Sequence, residues 1–332
     1  MSFNIDSLIQ PGAAYDPSMT DAIMKPYRYI SEVPSNNHNV RTRFLLAFNE
    51  LFYGMKNEDL LHRISHIISV FHNSSLLIDD IEDDSQLRRG MPVAHVKYGV
   101  PLTINCGNMM YFVAVQKAID LAGEAGSAEL KFETSQILVD EMMNVHHGQG
   151  LDIYWRDYLK DLEHLPEIED YLGMVKDKTG SLFRLAIKLL LLHSDVGEDN
   201  GLVAIANLLG IIYQIRDDYL NLVDIKYSAM KGVTCEDLIE GKLSLPILHC
   251  LRTTTNSPVH EILYNYNTSA ERAKQNALIE ECLTYMKNKS RSLQYTLDLI
   301  KTLERKIKAM MTKYPNLENS GLIKIIDRLC DL

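Results

Sequence analysis

The chain has 332 residues, of which 46% are hydrophobic and 23% charged, and its formal net charge is -10. That composition supplies a large apolar core and excludes a disordered chain. An acidic balance with no long basic run also excludes nucleic-acid binding through phosphates, although metal ions with a few arginines and lysines can still reverse the local field for a small anion.

The cysteines, Cys106, Cys235, Cys250, Cys282 and Cys330, are scattered and never spaced as C-x-x-C. They read as free thiols in a reducing compartment, not as a disulfide frame or a zinc site. No basic-then-apolar leader marks the N-terminal stretch, and no apolar run approaches the roughly 20 residues of a membrane span. The expectation is a soluble, cytoplasmic protein.

In chain order, the first strong pattern is 59–78, where Leu60, Leu61, Ile64, Ile67, Ile68, Phe71 and Ser75 recur at spacings of three and four. The same periodicity predicts helices over 103–120, 128–147, 167–193, 200–222, 257–268, 271–287 and 291–312. No stretch alternates as a strand does, and no Asn-Gly or Asp-Gly turn joins two β-branched runs. Breaks at Pro11–Pro17, Val33–Asn39, Arg88–Pro92, Gly123–Gly126, Asp195–Gly201 and Lys226–Gly232 suit helix connections and are too short for interdomain linkers. The reading is all-α, one large helical domain over 1–332.

Asp79, Asp80 and Asp83 close the first of these helices. Residues four apart on a helix point the same way, so Asp79 and Asp83 repel each other by a few tenths of a kcal/mol or more. Glu82 and Asp84 add to the charge, and the preceding Leu76-Leu77-Ile78 implies partial burial, which raises the cost. Acids at a helix C-terminus are also opposed by the macrodipole. The arrangement returns as Asp217, Asp218 and Asn221 after the apolar run Leu208-Leu209-Gly210-Ile211-Ile212. Either cluster alone reads more readily as a solvated helix end. Two of them, each on an apolar helix, point to one shared site for hard divalent cations. Three Mg2+ ions serving a diphosphate substrate are the cofactor and ligand this implies.

Cationic partners are at hand. Arg88-Arg89-Gly90 follows the first cluster, where a turn can fold the guanidiniums back toward the acids, and arginine suits bidentate phosphate contact. Lys178, Lys231 and Lys242 offer further charge.

These strings resemble the motifs of trans-isoprenyl diphosphate synthases. Leu76-Leu77-Ile78-Asp79-Asp80-Ile81-Glu82-Asp83-Asp84 with Leu87-Arg88-Arg89-Gly90 is similar to the family's first aspartate-rich motif. Gly148-Gln149-Gly150-Leu151-Asp152-Ile153-Tyr154-Trp155-Arg156, Lys178-Thr179-Gly180, Tyr213-Gln214-Ile215-Arg216-Asp217-Asp218, and then Glu236-Asp237-Leu238 with Glu240-Gly241-Lys242 resemble the later motifs in order. The resemblance covers residues 25–250. Within the family, the Gly-Leu-Asp-Ile-Tyr-Trp-Arg string and Asn221 resemble the fungal and animal geranylgeranyl diphosphate synthases.

The resemblance implies the isoprenoid synthase fold, a helical bundle around a central hydrophobic cavity. It also implies condensation of isopentenyl diphosphate with allylic diphosphates. It assigns Asp79, Asp80, Asp83, Asp217 and Asp218 to the metals, and Arg88, Lys178, Thr179, Gln214, Lys231 and Lys242 to the allylic diphosphate and the cation left on its chain. His38, Arg41, His72 and Arg89 fall to isopentenyl diphosphate. Gln149, Asp152 and Asn221 would support the ligands from behind. The chain departs from the family at Asn37-His38, where Gly-Lys is usual, so isopentenyl diphosphate affinity is expected to be weaker or pH-dependent.

Product length should follow cavity depth. Ser74 and Ser75 leave open a layer about 6–7.5 Å below Asp79, at ~1.5 Å per helical residue, where farnesyl-length enzymes carry aromatics. Tyr111, Phe112 and His146 match the positions of a deeper floor, although Tyr111 and Phe112 read equally as core packing. The expected product is geranylgeranyl diphosphate; a farnesyl or longer-chain synthase and a silent partner subunit are the alternatives. Apolar positions on more than one face of 103–120 suggest a homo-oligomer, a dimer or higher.

Overall fold

A computed structural model of the chain describes residues 17–33, 40–124, 126–197, 201–224, 235–314, 317 and 320–332. His38 and Lys231 lie outside the described residues. The chain enters through α1 (Pro17–Ile23), α2 (Lys25–Glu32) and α3 (Val40–Phe48), the last running into a single π turn at Asn49–Tyr53. α4 (Glu58–Glu82) begins where the Asn57 side chain accepts from Leu60 N at 3.0 Å and acids occupy the first turn, both favourable at a helix N-terminus.

The expected long helices are present as α6 (Val100–Glu124), α7 (Ala128–Asp157) and α10 (Leu202–Val223), with α5 (Ala94–Tyr98) ahead of them. The span 167–193 is not one helix. It divides into α8 (Ile168–Lys178) and α9 (Gly180–Leu192), with Thr179 between them. Beyond α10 come α11 (Glu236–Glu240), α12 (Leu245–Thr253), α13 (Pro258–Asn265), α14 (Ser269–Arg272), α15 (Asn276–Asn288), α16 (Ser292–Met311) and α17 (Gly321–Cys330). The expectation of no strands needs one correction. Leu87–Arg88 and Met91–Pro92 form a two-residue antiparallel ladder, too short to show alternation in sequence.

Six helices close a ring of contacts, running α4, α6, α7, α8, α10, α9 and back to α4. Their inward faces carry the core, including Ile64, Phe71, Leu77, Leu138, Leu185 and Ile212. Glycine sets the distance at three crossings. A Cβ on Gly107 of α6 would lie 2.8 Å from Ile78 Cδ1 of α4. A Cβ on Gly148 of α7 would lie 2.3 Å from the Lys178 nitrogen, and one on Gly210 of α10 would lie 2.4 Å from Gly180 Cα. Each is below van der Waals contact, and the last two are against backbone that cannot step aside. These approaches bring the C-terminal halves of α4, α7 and α10 to one end of the ring.

Candidate active site

The first acid cluster is built by a helix end and a hairpin. Asp83 caps α4, and the chain turns at Asp84 (φ +50°) into the hairpin, whose tip has Arg89 at φ +56° and Gly90 at φ +78°. This geometry folds Arg88 back over α4. Its Nε donates to Asp80 Oδ1 at 2.6 Å and its Nη2 to Asp79 Oδ2 at 2.9 Å. Burial opposes the charge on Arg88, but Asp80 and Asp79 hold the guanidinium more firmly protonated than usual. α7 supplies three groups across the gap. Gln149 Nε2 donates to Asp79 Oδ1 at 3.2 Å and to Glu82 Oε2 at 2.8 Å. Arg156 Nη1 donates to Asp83 Oδ1 at 2.5 Å and Nη2 to the Glu82 carbonyl at 2.8 Å. Asp152 accepts from Lys178 Nζ at 2.6 Å, and that ammonium also lies 3.8 Å from Asp79 Oδ1.

Lys178 therefore carries the first cluster toward the second. Thr179 Oγ1 donates to Gln214 Oε1 at 2.8 Å, and Gln214 Nε2 donates to Asp218 Oδ1 at 2.9 Å. Asp218 Oδ2 also accepts from the Tyr171 hydroxyl and from Leu245 N, the latter at 2.9 Å. With three donors on its oxygens, Asp218 is an anchor of the site and not an open ligand. Asn221 Oδ1 accepts from Asp237 N at 3.1 Å, tying α10 to the start of α11. Lys242, just after α11, is half-buried. Burial opposes its charge, but Asp237, Asp152, Asp218 and Glu240 hold it well above its ordinary pKa. Asp83 feels Lys242, and Glu240 feels Asp83, so the two clusters share one field.

Burial raises the pKa of several carboxyls here, Asp218 and Glu240 among them. Burial, then Asp79, raise the pKa of Asp83. Asp237 is pushed up to about 7 by burial together with Asp218, Glu236 and Asp217, against the pull of Lys242, and its Oδ2 is buried without a hydrogen bond. Hard oxygens with raised pKa values and an orphaned buried lone pair are what a divalent cation satisfies. Among the described residues no three acid, histidine or cysteine side chains converge on one point. Mg2+ does not need such a cage, because it typically keeps waters and binds one or two carboxylates plus phosphate oxygens. The donor set fits Mg2+ shared with a phosphorylated ligand.

A second cationic region adjoins the hairpin. Arg41 donates to the ring of His72. Burial, then Arg41, Arg88 and Arg89, hold the imidazole well below its usual pKa, so His72 is neutral and accepts. Burial, and Arg89 nearby, lower the Arg41 guanidinium to about 10. Three guanidiniums around a neutral imidazole form a pocket that favours an anion. A narrow cavity bordered by Tyr29, Ile30, Val33, Asp80, Arg88 and Arg89 opens beside them.

Below the aspartates, Ser74 is buried with its Oγ on the Val70 carbonyl at 2.8 Å, and the Ser75 Oγ is on the His72 carbonyl at 2.8 Å. Both hydroxyls are spent on their own helix and leave only small volume. The Tyr111 ring packs 5.4 Å from Phe71 and 5.4 Å from His146. Burial, then Glu82 and Asp79, raise its phenol, which places it under the acid cluster. Phe112 does not join this layer. Its side chain is 72% exposed, because its neighbour Tyr111 takes the inward direction and adjacent helical residues diverge by about 100°. His146 is exposed apart from its contact with Tyr111 and its Nδ1 contact with the Met142 carbonyl at 2.8 Å.

Several site residues escaped the sequence assignment. Arg156 and Asp237 stand inside the quoted motifs and could have been drawn from them. Tyr171 and Arg272 have no such signal. Arg272 reaches from α14 to three carbonyls, Ile239 at 2.7 Å, Glu240 at 2.7 Å and Tyr266 at 3.0 Å, and so clamps the turn that presents Lys242.

The family model described as polyprenyl synthetase matches residues 20–286. The chain is similar to a geranylgeranyl pyrophosphate synthase of Eremothecium gossypii, 38% identical over 331 residues, covering 98% of each chain. It is similar to another of that name from Aspergillus versicolor, 40% identical over 92% of this chain and 76% of the relative. A third, from Fusarium fujikuroi, is 38% identical over 93% of this chain and 69% of the relative.

Proposed function

The chain belongs to the polyprenyl synthetase family, and from that premise we propose that it makes geranylgeranyl diphosphate by condensing isopentenyl diphosphate with allylic diphosphates. The observation that carries this reading is the joining of two distant acid-bearing helix ends through Lys178, Lys242 and Asp152 into one cationic and anionic site. One domain over 1–332 houses it.

Asp79, Asp83 and Asp217 would hold magnesium, with Asp80 and Asp218 fixed behind them by Arg88, Gln214 and Tyr171. Bound magnesium supplies charge neutralisation for the diphosphate oxygens of the leaving group. The protein's own residues do the rest. Arg88, Lys178 and Lys242 receive the charge that moves onto the diphosphate as the allylic C–O bond breaks. The oxygens of Thr179 and Gln214 flank the cation left on the chain. Arg41, His72 and Arg89 hold isopentenyl diphosphate so that its double bond attacks that cation and a new C–C bond forms. A proton then leaves the adjacent carbon for the released diphosphate, which restores a double bond. Catalysis is positioning and preorganised electrostatics in a site that excludes water.

Incubation of the purified protein with Mg2+, isopentenyl diphosphate and each allylic primer, followed by chromatography, tests the reading. Geranylgeranyl diphosphate from every primer supports it. Termination at farnesyl diphosphate, accumulation of longer chains, or no condensation would each replace it. Tyr111 sets the floor in this account, with Phe71 and His146 behind it. Tyr111→Ala is expected to shift the main product to chains at least one isoprene unit longer, read on the same chromatogram. An unchanged product removes Tyr111 from the floor.

We place the enzyme in the cytoplasm. The free cysteines among the described residues are all buried, and no helix of the described residues is long and apolar enough to cross a membrane. Ile104 and Phe112 of α6 and Phe132, Val139 and Met143 of α7 are exposed apolar side chains on neighbouring helices, a surface suited to a second copy of the chain. Phe112→Glu with Met143→Glu is expected to convert the oligomer to a monomer in sedimentation with helix content retained. An unaltered mass would move the interface elsewhere.

A further inference from the structure

The break between α8 and α9 carries Lys178 and Thr179, two of the groups that face the allylic diphosphate. A helix that stops leaves its last carbonyls without helical partners. Here two of those carbonyls are taken by side chains of α9. Ser181 Oγ donates to the Asp177 carbonyl at 2.6 Å, and Arg184 Nη1 donates to the Lys176 carbonyl at 2.7 Å.

Arg184 is only 5% exposed, and each of its three nitrogens donates a hydrogen bond. Nη1 also donates to Asn207 Oδ1 at 2.9 Å. Nη2 donates to Ser181 Oγ at 2.7 Å and lies 2.8 Å from Glu141 Oε2. Nε donates to Glu141 Oε2 at 2.9 Å, with Oε1 at 3.1 Å. Glu141 is 1% exposed and takes a second cation, Lys188 Nζ, at 2.7 Å. One guanidinium thus joins α7, α8, α9 and α10 immediately behind the break. Backbone closes on the same point from two sides, at Gly148 against Lys178 and at Gly210 against Gly180.

We propose that Arg184, held by Glu141, is a positioning residue for the prenyl-transfer reaction: through the Lys176 carbonyl it fixes the helix break so that Lys178 Nζ reaches Asp152 and Asp79 while Thr179 Oγ1 reaches Gln214. The inference rests on the function proposed above. The competing explanation is a buried ion pair that only stabilises the fold. Such pairs are often no better than apolar side chains of similar volume, so stability alone gives little reason for a guanidinium with five directed bonds at this place.

The test uses Arg184→Lys and the double variant Glu141→Met/Arg184→Met, which removes both buried charges and leaves Lys188 free to turn to solvent. Steady-state kinetics, thermal unfolding and hydrogen exchange of the 176–181 amides are measured in each. Lysine retains the charge beside Glu141 but cannot hold all the acceptors. Arg184→Lys is therefore expected to lower kcat and raise the allylic KM to a combined loss of about 10- to 100-fold, with the isopentenyl diphosphate KM held within about two-fold and the 176–181 amides exchanging faster. The double variant is expected to unfold near the wild-type temperature and still show the kinetic loss. Wild-type kinetics in Arg184→Lys, or activity that returns with stability in the double variant, overturns the proposal. If the wild-type chain does not condense these substrates, the functional reading fails on its own. The exchange rates then decide the role of Arg184, with unchanged exchange rejecting it.

Discussion

Asp79→Asn is expected to leave a folded protein whose kcat falls by about 10³-fold, the scale seen when a preorganised electrostatic contact is lost from a transition state. The fold survives because the asparagine oxygen can still accept from Arg88, which meets Asp79 Oδ2 at 2.9 Å, while Gln149 loses its 3.2 Å contact with Oδ1 and keeps Glu82 at 2.8 Å. The negative charge that would help hold magnesium, and that Lys178 approaches to 3.8 Å, is lost. An interaction realised mainly at the transition state lowers kcat and kcat/KM together. Saturating and sub-saturating assays should therefore show similar losses. Activity within about ten-fold of wild type would remove Asp79 from the ligand set.

Lys242→Met is expected to damage the fold as well as the chemistry. Its ammonium is buried among Asp237, Asp152, Asp218 and Glu240. Removing one partner of a buried charge cluster costs about 3–5 kcal/mol, because the remaining charges keep their desolvation penalty. The effect should depend on pH, and its sign follows from Asp237. That carboxyl is raised to about 7 in the folded chain, against about 3.9 when unfolded. Its contribution to stability is present below the unfolded value and is lost as pH rises through about 7. Lys242 limits that loss, and it stays charged across the whole window because its own pKa is raised well above its ordinary value. Urea unfolding should therefore show a larger deficit for Lys242→Met at pH 8 than at pH 5, and Lys242→Met/Asp237→Asn should recover part of it. A deficit independent of pH would show that Asp237 is not the group Lys242 restrains.

What could be read from the sequence followed from local chemistry. Asp79 and Asp83 stood out because adjacent acids at the end of an apolar helix have no local reason to be there. The repeat at Asp217 and Asp218 turned that oddity into a site. The hairpin that returns Arg88 was expected as a turn because Arg88-Arg89-Gly90 follows the acids directly, and the glycine adopts a positive φ. What could not be read was set by tertiary contact. Residues 167–193 keep one helical periodicity, yet the helix breaks at Thr179, where Gly148 and Gly210 admit the backbone of neighbouring helices. Within 167–193 only Gly180 marks that approach, and a lone glycine does not by itself end a helix. The sequence pattern misplaces Phe112, because α6 has apolar residues on several faces and periodicity alone cannot tell the inward face from the outward one. Arg272 lies beyond the motif-bearing region, and its role depends on carbonyls that come near only in the folded chain.

We propose that one metal-dependent diphosphate site spans both acid-bearing helices. Calorimetric titration of inorganic diphosphate into the wild-type protein, Asp79→Asn and Asp217→Asn, each with and without Mg2+, tests it most directly. Tight binding only with Mg2+ is expected in the wild type, and weaker binding in both variants. Binding that ignores Mg2+, or that survives intact in either variant, would contradict it.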